Sequence, residues 1–237
     1  VRPSGKKVRP EGGPQVPLSV PNPLEAVLFD LDGTLIDSKR DIAAAANSAR
    51  VHFGFEALPL DQVVTYIGHG VDHLLQRTLG EHATPERLEE GMEVLMAHYR
   101  DHLVVHTTVY PGVREFLDLL KGRGARMGVV SNKPHALTPL TLQKLGLSPY
   151  FTIALGADAT PHKKPHPEPL LTALRALSAA PERSVMIGDS LVDAQAGRAA
   201  GMKVGLVSHG YTHKSSLQSA DADWLVDSMM DFAALFA

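Results

Sequence analysis

The chain has 237 residues, enough for one large domain or two small ones with a sizeable core. Hydrophobic residues make up 44% and charged residues 21%, and the net charge is -3 with His neutral, so nothing advertises a nucleic acid or an anionic membrane as partner. Cysteine is absent, which excludes disulfides, thiolate zinc sites, iron–sulfur clusters and cysteine nucleophiles.

Residues 1–23 are rich in Pro and Gly and poor in large apolar side chains, which predicts a mobile tail outside the fold. Arg2, Lys6, Lys7 and Arg9 are followed by no apolar run, because Pro14, Pro17, Pro21 and Pro23 interrupt the segment. A secretory signal is not expected, no apolar run reaches the length of a membrane span, and the cytoplasm is the expected location. Short apolar runs then recur at Ala26–Phe29, Met127–Val130, Thr152–Leu155, Val185–Ile187 and Val204–Val207. They do not alternate apolar with polar, as expected of parallel strands buried on both faces. Helical patterns lie between them. Val113, Phe116, Leu117 and Leu120 share one face before Gly122 and Gly124, residues 137–145 end at Gly146, and Ala194–Ala200 is a small-residue helix closed by Gly201. The alternation predicts an α/β fold with a doubly wound parallel sheet. Residues 40–108 break the rhythm and read as helices only, with Leu88, Met92, Leu95, Tyr99 and Leu103 as one apolar stripe. The expected organisation is a core of residues 24–39 and 109–237 with a small helical domain, 40–108, inserted after the first strand.

Four polar clusters fall at strand ends or in the loops beyond: Asp30-Leu31-Asp32-Gly33-Thr34, Ser131-Asn132, Lys164-Pro165, and Gly188-Asp189 with Asp193. In a parallel sheet those ends share one rim, where ligands bind. Asp30, Asp32, Asp189 and Asp193 would then crowd one crevice, and each like-charge pair near 4 Å costs about 4 kcal/mol at an effective dielectric of 20. A cation is required, and with hard oxygen donors only, Mg²⁺ fits best. Lys164 adds positive charge for an anionic substrate. Asp30 and Asp32, two apart, can divide into an ionised nucleophile and an acid/base. Gly33 permits a tight turn. Thr34, Ser131 and Asn132 offer donors for phosphoryl oxygens.

These residues resemble the haloacid dehalogenase superfamily. Asp30 to Leu35 is similar to its first motif, and Ser131, Lys164 and Gly188-Asp189-x-x-x-Asp193 match the next three in order. Ser131-Asn132-Lys133-Pro134, the stretch from Lys163 to Leu171, Ala196 to Gly201, and Tyr66 to Asp72 resemble its phosphoglycolate phosphatase branch. The resemblance implies a Mg²⁺-dependent phosphatase for a small phosphorylated metabolite. It implies attack by Asp30, proton transfer by Asp32, and phosphoryl binding by Ser131 and Lys164. It further implies a metal on the Asp30 carboxylate, the Asp32 backbone carbonyl and Asp189, with Asp193 supporting the metal's waters or the lysine, under a mobile helical cap. Lys164, directly before Pro-x-Pro, is preferred over Lys163. His69, between two glycines at a helix start, is a candidate substrate contact. His98, His102 and His106 read as a partly solvated helix face rather than a zinc site. Asp32 argues against a dehalogenase, the lack of lysine between Arg40 and Thr108 against a phosphonoacetaldehyde hydrolase, and Gly68-His69-Gly70-Val71 against a β-phosphoglucomutase. Other phosphorylated metabolites (nucleotide, sugar phosphate or pyrophosphate) stay open. A non-enzymatic phospho-acceptor module is the reading from a different class, and the large insert and Asp32 speak against it.

Overall fold

The computed structural model describes residues 20–236. Most of the segment expected to be a tail, residues 1–19, lies outside the described residues, while Val20 and Leu24 are half-buried against the core. The chain enters through strand β1 (Ala26–Phe29) and the short β2 (Ile36–Asp37). Helices α1 (Lys39–His52), α2 (Leu60–Val64), α3 (Val71–Leu79) and α4 (Pro85–Asp101) follow, and the chain returns through β3 (Thr108–Val109). The remainder alternates: α5 (Val113–Gly122), β4 (Arg126–Val130), α6 (Thr138–Lys144), β5 (Ile153–Leu155), α7 (Glu168–Ala176) and β6 (Ser184–Gly188). It closes with α8 (Leu191–Ala199), β7 (Lys203–Val207), α9 (Lys214–Leu217), β8 (Trp224–Val226) and α10 (Met229–Phe236).

Six strands form one parallel sheet in the order β5-β4-β1-β6-β7-β8. The period of two in β1 sends Val27 and Phe29 to one face and Ala26 and Leu28 to the other. On the first face they meet Phe116 and Leu120 of α5 and Phe232 of α10. On the second they meet Leu170 and Leu174 of α7 and Ala196 of α8. Both faces are covered, which is why the strands are apolar beyond their first residues Arg126, Ser184 and Lys203. Each fully buried Phe or Leu contributes about 1.5–3 kcal/mol. The helix predicted at Ala194 begins earlier, because Ser190 and Asp193 form a reciprocal capping box. A methyl on Gly197 would lie 2.7 Å from Val204, so the small residues of α8 do allow close approach to the sheet.

Helices α1 to α4 enclose a separate apolar cluster that includes Ala45, Ala46 and Ala49 of α1 and Leu95 and Tyr99 of α4. Small side chains on α1 and Gly91 on α4 let the two helices pack closely; a Cβ on Gly91 would already meet Ala49 Cβ at 3.6 Å. Two devices join the start of this segment to its end. β2 pairs antiparallel with β3, Ile36 opposite Val109. The buried Asp41, in the first turn of α1, accepts hydrogen bonds from the backbone N–H groups of Val105, His106 and Thr107 and from the Thr107 hydroxyl. Of the three histidines read as one helix face, His98 and His102 stack at 4.3 Å, but α4 ends at Asp101 and His106 lies beyond it.

Candidate active site

Strands β4, β1 and β6 are neighbours, and their carboxyl ends deliver Ser131, Asp30 and Asp189. Lys164 arrives on the loop between β5 and α7, and Asp193 on the first turn of α8. Lys164 Nζ donates to Asp30 Oδ1 at 2.8 Å and to Asp193 Oδ1 at 2.7 Å. The second Asp193 oxygen accepts from the Ser190 hydroxyl at 2.5 Å and from its backbone N–H at 3.2 Å. Asp193 is therefore both the helix cap and the partner of the lysine. Asp189 Oδ2 accepts from the Tyr211 backbone N–H at 2.7 Å. Lys163, the rival lysine, is half-exposed and faces Asp72 at 3.7 Å.

Carboxylate oxygens of Asp30, Asp189 and Asp193 lie within 4.8 Å of one another, all buried. Burial pushes the Asp30 carboxyl up to about 6, against the pull of Lys164 and with the help of Asp193. Burial also drives Asp189 well above the ordinary carboxylate range, with Asp193 and Asp30 adding to it. Lys164 is held protonated: burial opposes its charge, and Asp193 and Asp30 overcome that. One lysine does not neutralise three buried carboxylates, and the donor set is hard oxygen, which fits a divalent cation such as Mg²⁺.

The Asp32 carboxylate stands apart from that cluster. It accepts from the Ser38 hydroxyl at 2.6 Å and from Lys133 Nζ at 3.2 Å. Lys133 is buried and also donates to the Tyr99 hydroxyl, which reaches down from α4. The Tyr211 hydroxyl accepts from the Ser38 backbone N–H at 2.7 Å. The two motif carboxylates thus have different lysines and different surroundings. No role for Lys133, Tyr99 or Tyr211 follows from the sequence alone. Lys133 stands in the Ser131–Pro134 motif, but its burial cannot be read from a loop sequence.

Between these groups lies a cavity of about 50 Å³, lined by Asp30, Asp32, Ser131, Asn132, Lys133 and Lys164 on one side and by Ile42, Ile67, Val71 and Leu74 on the other. Three further sequence-derived candidates have duties other than substrate binding. Thr34 is fully buried and its hydroxyl donates to Asp189 Oδ1 at 3.4 Å. Gly33, at φ +90, is where the backbone passes Asp189 so closely that a Cβ would come within 2.4 Å of its carboxylate. Asn132 lines the cavity, yet both its N–H bonds are committed, to the carbonyls of Gly68 and Lys164 at 2.9 Å. Its side-chain amide is therefore no phosphoryl donor in this geometry, and of that side chain only the unpartnered Oδ1 remains. His69 is exposed and off the cavity wall, where Gly68 and Gly70 stand instead; partial burial, His73 and Lys163 lower its pKa.

A family model described as haloacid dehalogenase-like hydrolase matches residues 27–207. The chain belongs to this family. Among relatives, a protein of Nitrosospira multiformis named phosphoglycolate phosphatase is 40% identical over 220 residues, covering 91% of this chain and 96% of that one. A Neisseria meningitidis protein of the same name is 41% identical over 214 residues, covering 87% and 91%. Among solved structures, a predicted phosphoglycolate phosphatase from Haemophilus somnus superposes with a TM-score of 0.85 at 29% identity, covering 90% of this chain and 98% of the other. This haloacid dehalogenase-like hydrolase carries no helix among its described residues that is long and apolar enough to cross a membrane.

Proposed function

We propose that this hydrolase is a Mg²⁺-dependent phosphatase that cleaves a small phosphate monoester, phosphoglycolate or a close analogue, by way of an aspartyl-phosphate. The observation that carries the reading is the separation of two carboxylates on one strand end. Asp30 sits in the buried acidic cluster with Lys164, and Asp32 sits outside it with Ser38 and Lys133. Asp30 attacks phosphorus, forming the Asp30 Oδ–P bond while the bond from phosphorus to the leaving oxygen breaks. Asp32 gives its proton to that oxygen, then takes one from the water that hydrolyses the intermediate. Ser131 and Lys164 hold the phosphoryl oxygens, and Asp193 fixes Lys164. The carboxylates of Asp30 and Asp189 and the Asp32 backbone carbonyl would hold Mg²⁺, which supplies positive charge where the phosphoryl group's negative charge gathers. Residues 40–108 act as a lid that excludes water. The bond from Asn132 to the Gly68 carbonyl and the contact of Lys133 with Tyr99 support a closed position. The cavity has space for about three or four water-sized groups, which suits a short organic part. The names of the relatives favour phosphoglycolate.

The test separates the two aspartates. Asp30→Asn removes the nucleophile and is expected to take up no label from an activated phosphate ester. Asp32→Asn keeps the nucleophile but loses acid/base help worth about 10²- to 10⁴-fold. It is expected to label on Asp30 and stall. Label on Asp30→Asn, or on a histidine of the native chain, refutes the mechanism.

A further inference from the structure

Phosphoryl transfer gives Lys164 a task and leaves a second buried ammonium without one. Lys133 is 5% exposed, and burying a lysine is unfavourable in both hydration and side-chain entropy. Its Nζ lies 3.2 and 3.4 Å from the two oxygens of Asp32, touches the Tyr99 hydroxyl, and stands 4.4 Å from the centre of that ring. Asp32 hands its proton to the leaving oxygen, so Lys133 borders the first atoms of the leaving group. Lys164 lies at the phosphoryl end, between Asp30 and Asp193.

An ammonium has three donors. The two Asp32 oxygens and the Tyr99 hydroxyl accept them, and the Asp32 contacts, at 3.2 and 3.4 Å, are long ones that a substrate carboxylate would share. The helical segment lines the cavity with Ile42, Ile67, Val71 and Leu74, and its polar side chain there is Tyr99. Lys133 and Lys164 are the two cations among the described residues that line the cavity. A leaving group entering this space meets hydrocarbon and, beside Asp32, the positive charge of Lys133. In the ester of a 2-hydroxy acid a single carbon separates the carboxylate from the leaving oxygen. A cation in contact with the acid that protonates that oxygen is then within reach of the carboxylate.

We infer that Lys133, seated by Tyr99, is the specificity-determining residue that binds a carboxylate one carbon from the ester oxygen of the substrate. The inference rests on the phosphatase reading above. A neutral alcohol in the same place cannot neutralise the ammonium, and the site discriminates against it.

The full chain, with Mg²⁺, is assayed for phosphate release from 2-phosphoglycolate, from 2-hydroxyethyl phosphate, and from p-nitrophenyl phosphate. A charge-assisted hydrogen bond predicts that kcat/KM favours the carboxylate ester over the hydroxyethyl ester by about 10- to 100-fold. Lys133→Met is expected to lower that ratio by at least about tenfold, with the larger part of the loss for phosphoglycolate in KM. Tyr99→Phe keeps the ring and is expected to lower the ratio by a smaller factor. If Lys133 merely positions Asp32, both aliphatic esters lose the same factor and the ratio stands, which overturns the inference. A native chain that cleaves p-nitrophenyl phosphate but treats the two aliphatic esters alike overturns it too, even if Lys133→Met fails to fold. A native chain inactive on every ester removes the phosphatase reading and this inference with it.

Discussion

Gly210 is a crowded position outside the motifs. A Cβ built there would come within 2.2 Å of Asp189 Oδ2, 2.3 Å of Asp189 Cβ and 2.5 Å of Asp189 Cγ. Its backbone is not in the left-handed region, so alanine brings no conformational strain of its own and the whole effect is crowding. The crowded atoms include a Cβ fixed to the β6 end, so rotation of the aspartate alone does not relieve the clash. The loop after β7 has to retreat, and the 2.7 Å bond from the Tyr211 N–H to Asp189 is the first to break. Overpacking of this kind costs about 1–3 kcal/mol. For a chain of this length each kcal/mol lowers Tm by about 2–4 °C, so Gly210→Ala is expected to melt about 2–12 °C below the native chain. Removing a partner that orients a metal ligand weakens metal affinity or activity by about 10- to 100-fold. With Asp189 as the proposed Mg²⁺ ligand, the Mg²⁺ concentration for half-maximal phosphatase activity should rise, and excess Mg²⁺ should restore part of the rate. The control is Gly122→Ala, where nothing lies within 4 Å and the change is neutral or stabilising by up to about 1 kcal/mol. Gly210→Ala with native Tm and native Mg²⁺ dependence refutes the reasoning.

Asp41→Ala leaves three backbone N–H groups and the Thr107 hydroxyl without their shared acceptor, and is expected to cost about 3 kcal/mol in urea unfolding; a loss under about 1 kcal/mol argues that the Asp41 hydrogen bonds contribute little. Asp223 tests a pH dependence far from the site. Burial pushes its carboxyl up, but Lys203, the Val204 N–H and Arg198 together bring it below 3.8. A depressed folded pKa gives stability that is fully present above the unfolded value and is lost as pH falls through the folded one. Asp223→Asn is expected to be less stable than the native chain at pH 7 by about 1.5–3 kcal/mol, with the gap closing below pH of about 4. A gap that is constant from pH 7 to pH 3 contradicts this.

The sheet was legible because its strands are buried on both faces and so stand out as unbroken apolar runs, and the chemistry was legible because parallel strands gather their carboxyl ends. What stayed hidden has physical reasons too. β2 and β3 have two residues each, too few to carry a period, although they join the insert to the core. Tyr99 reads as one more apolar position of a stripe, and its ring is indeed buried; only the fold reveals that its hydroxyl ends on Lys133. Asn132 has the residue type of a phosphoryl donor, but hydrogen-bond capacity is finite, and the carbonyls of Gly68 and Lys164 claim it. Thr34 is likewise turned to Asp189. Residue type predicted what these side chains could do, and neighbours brought in from distant segments decided what they do.

Those neighbours also connect the proposed lid to the chemistry. Three consecutive residues after β4 divide the work. Ser131 faces the cavity, Asn132 ties the Gly68 carbonyl above the site to the Lys164 backbone below it, and Lys133 ties Tyr99 of α4 to Asp32. Lifting α1 to α4 away would break the bonds to Gly68 and Tyr99 together, because both partners belong to the same packed group of helices. The bonds of Asn132 to Lys164 and of Lys133 to Asp32 lie wholly within the core side and would survive. On the proposed mechanism, closure would then need no separate signal to bring Asp30, Asp32 and Lys164 together. It would add the apolar side chains of Ile67, Val71 and Leu74 and the Tyr99 hydroxyl, the groups proposed to meet the organic part of the substrate. On this reading the reacting groups sit at the sheet's rim, and residues 131–133 join them to the helices that complete the pocket.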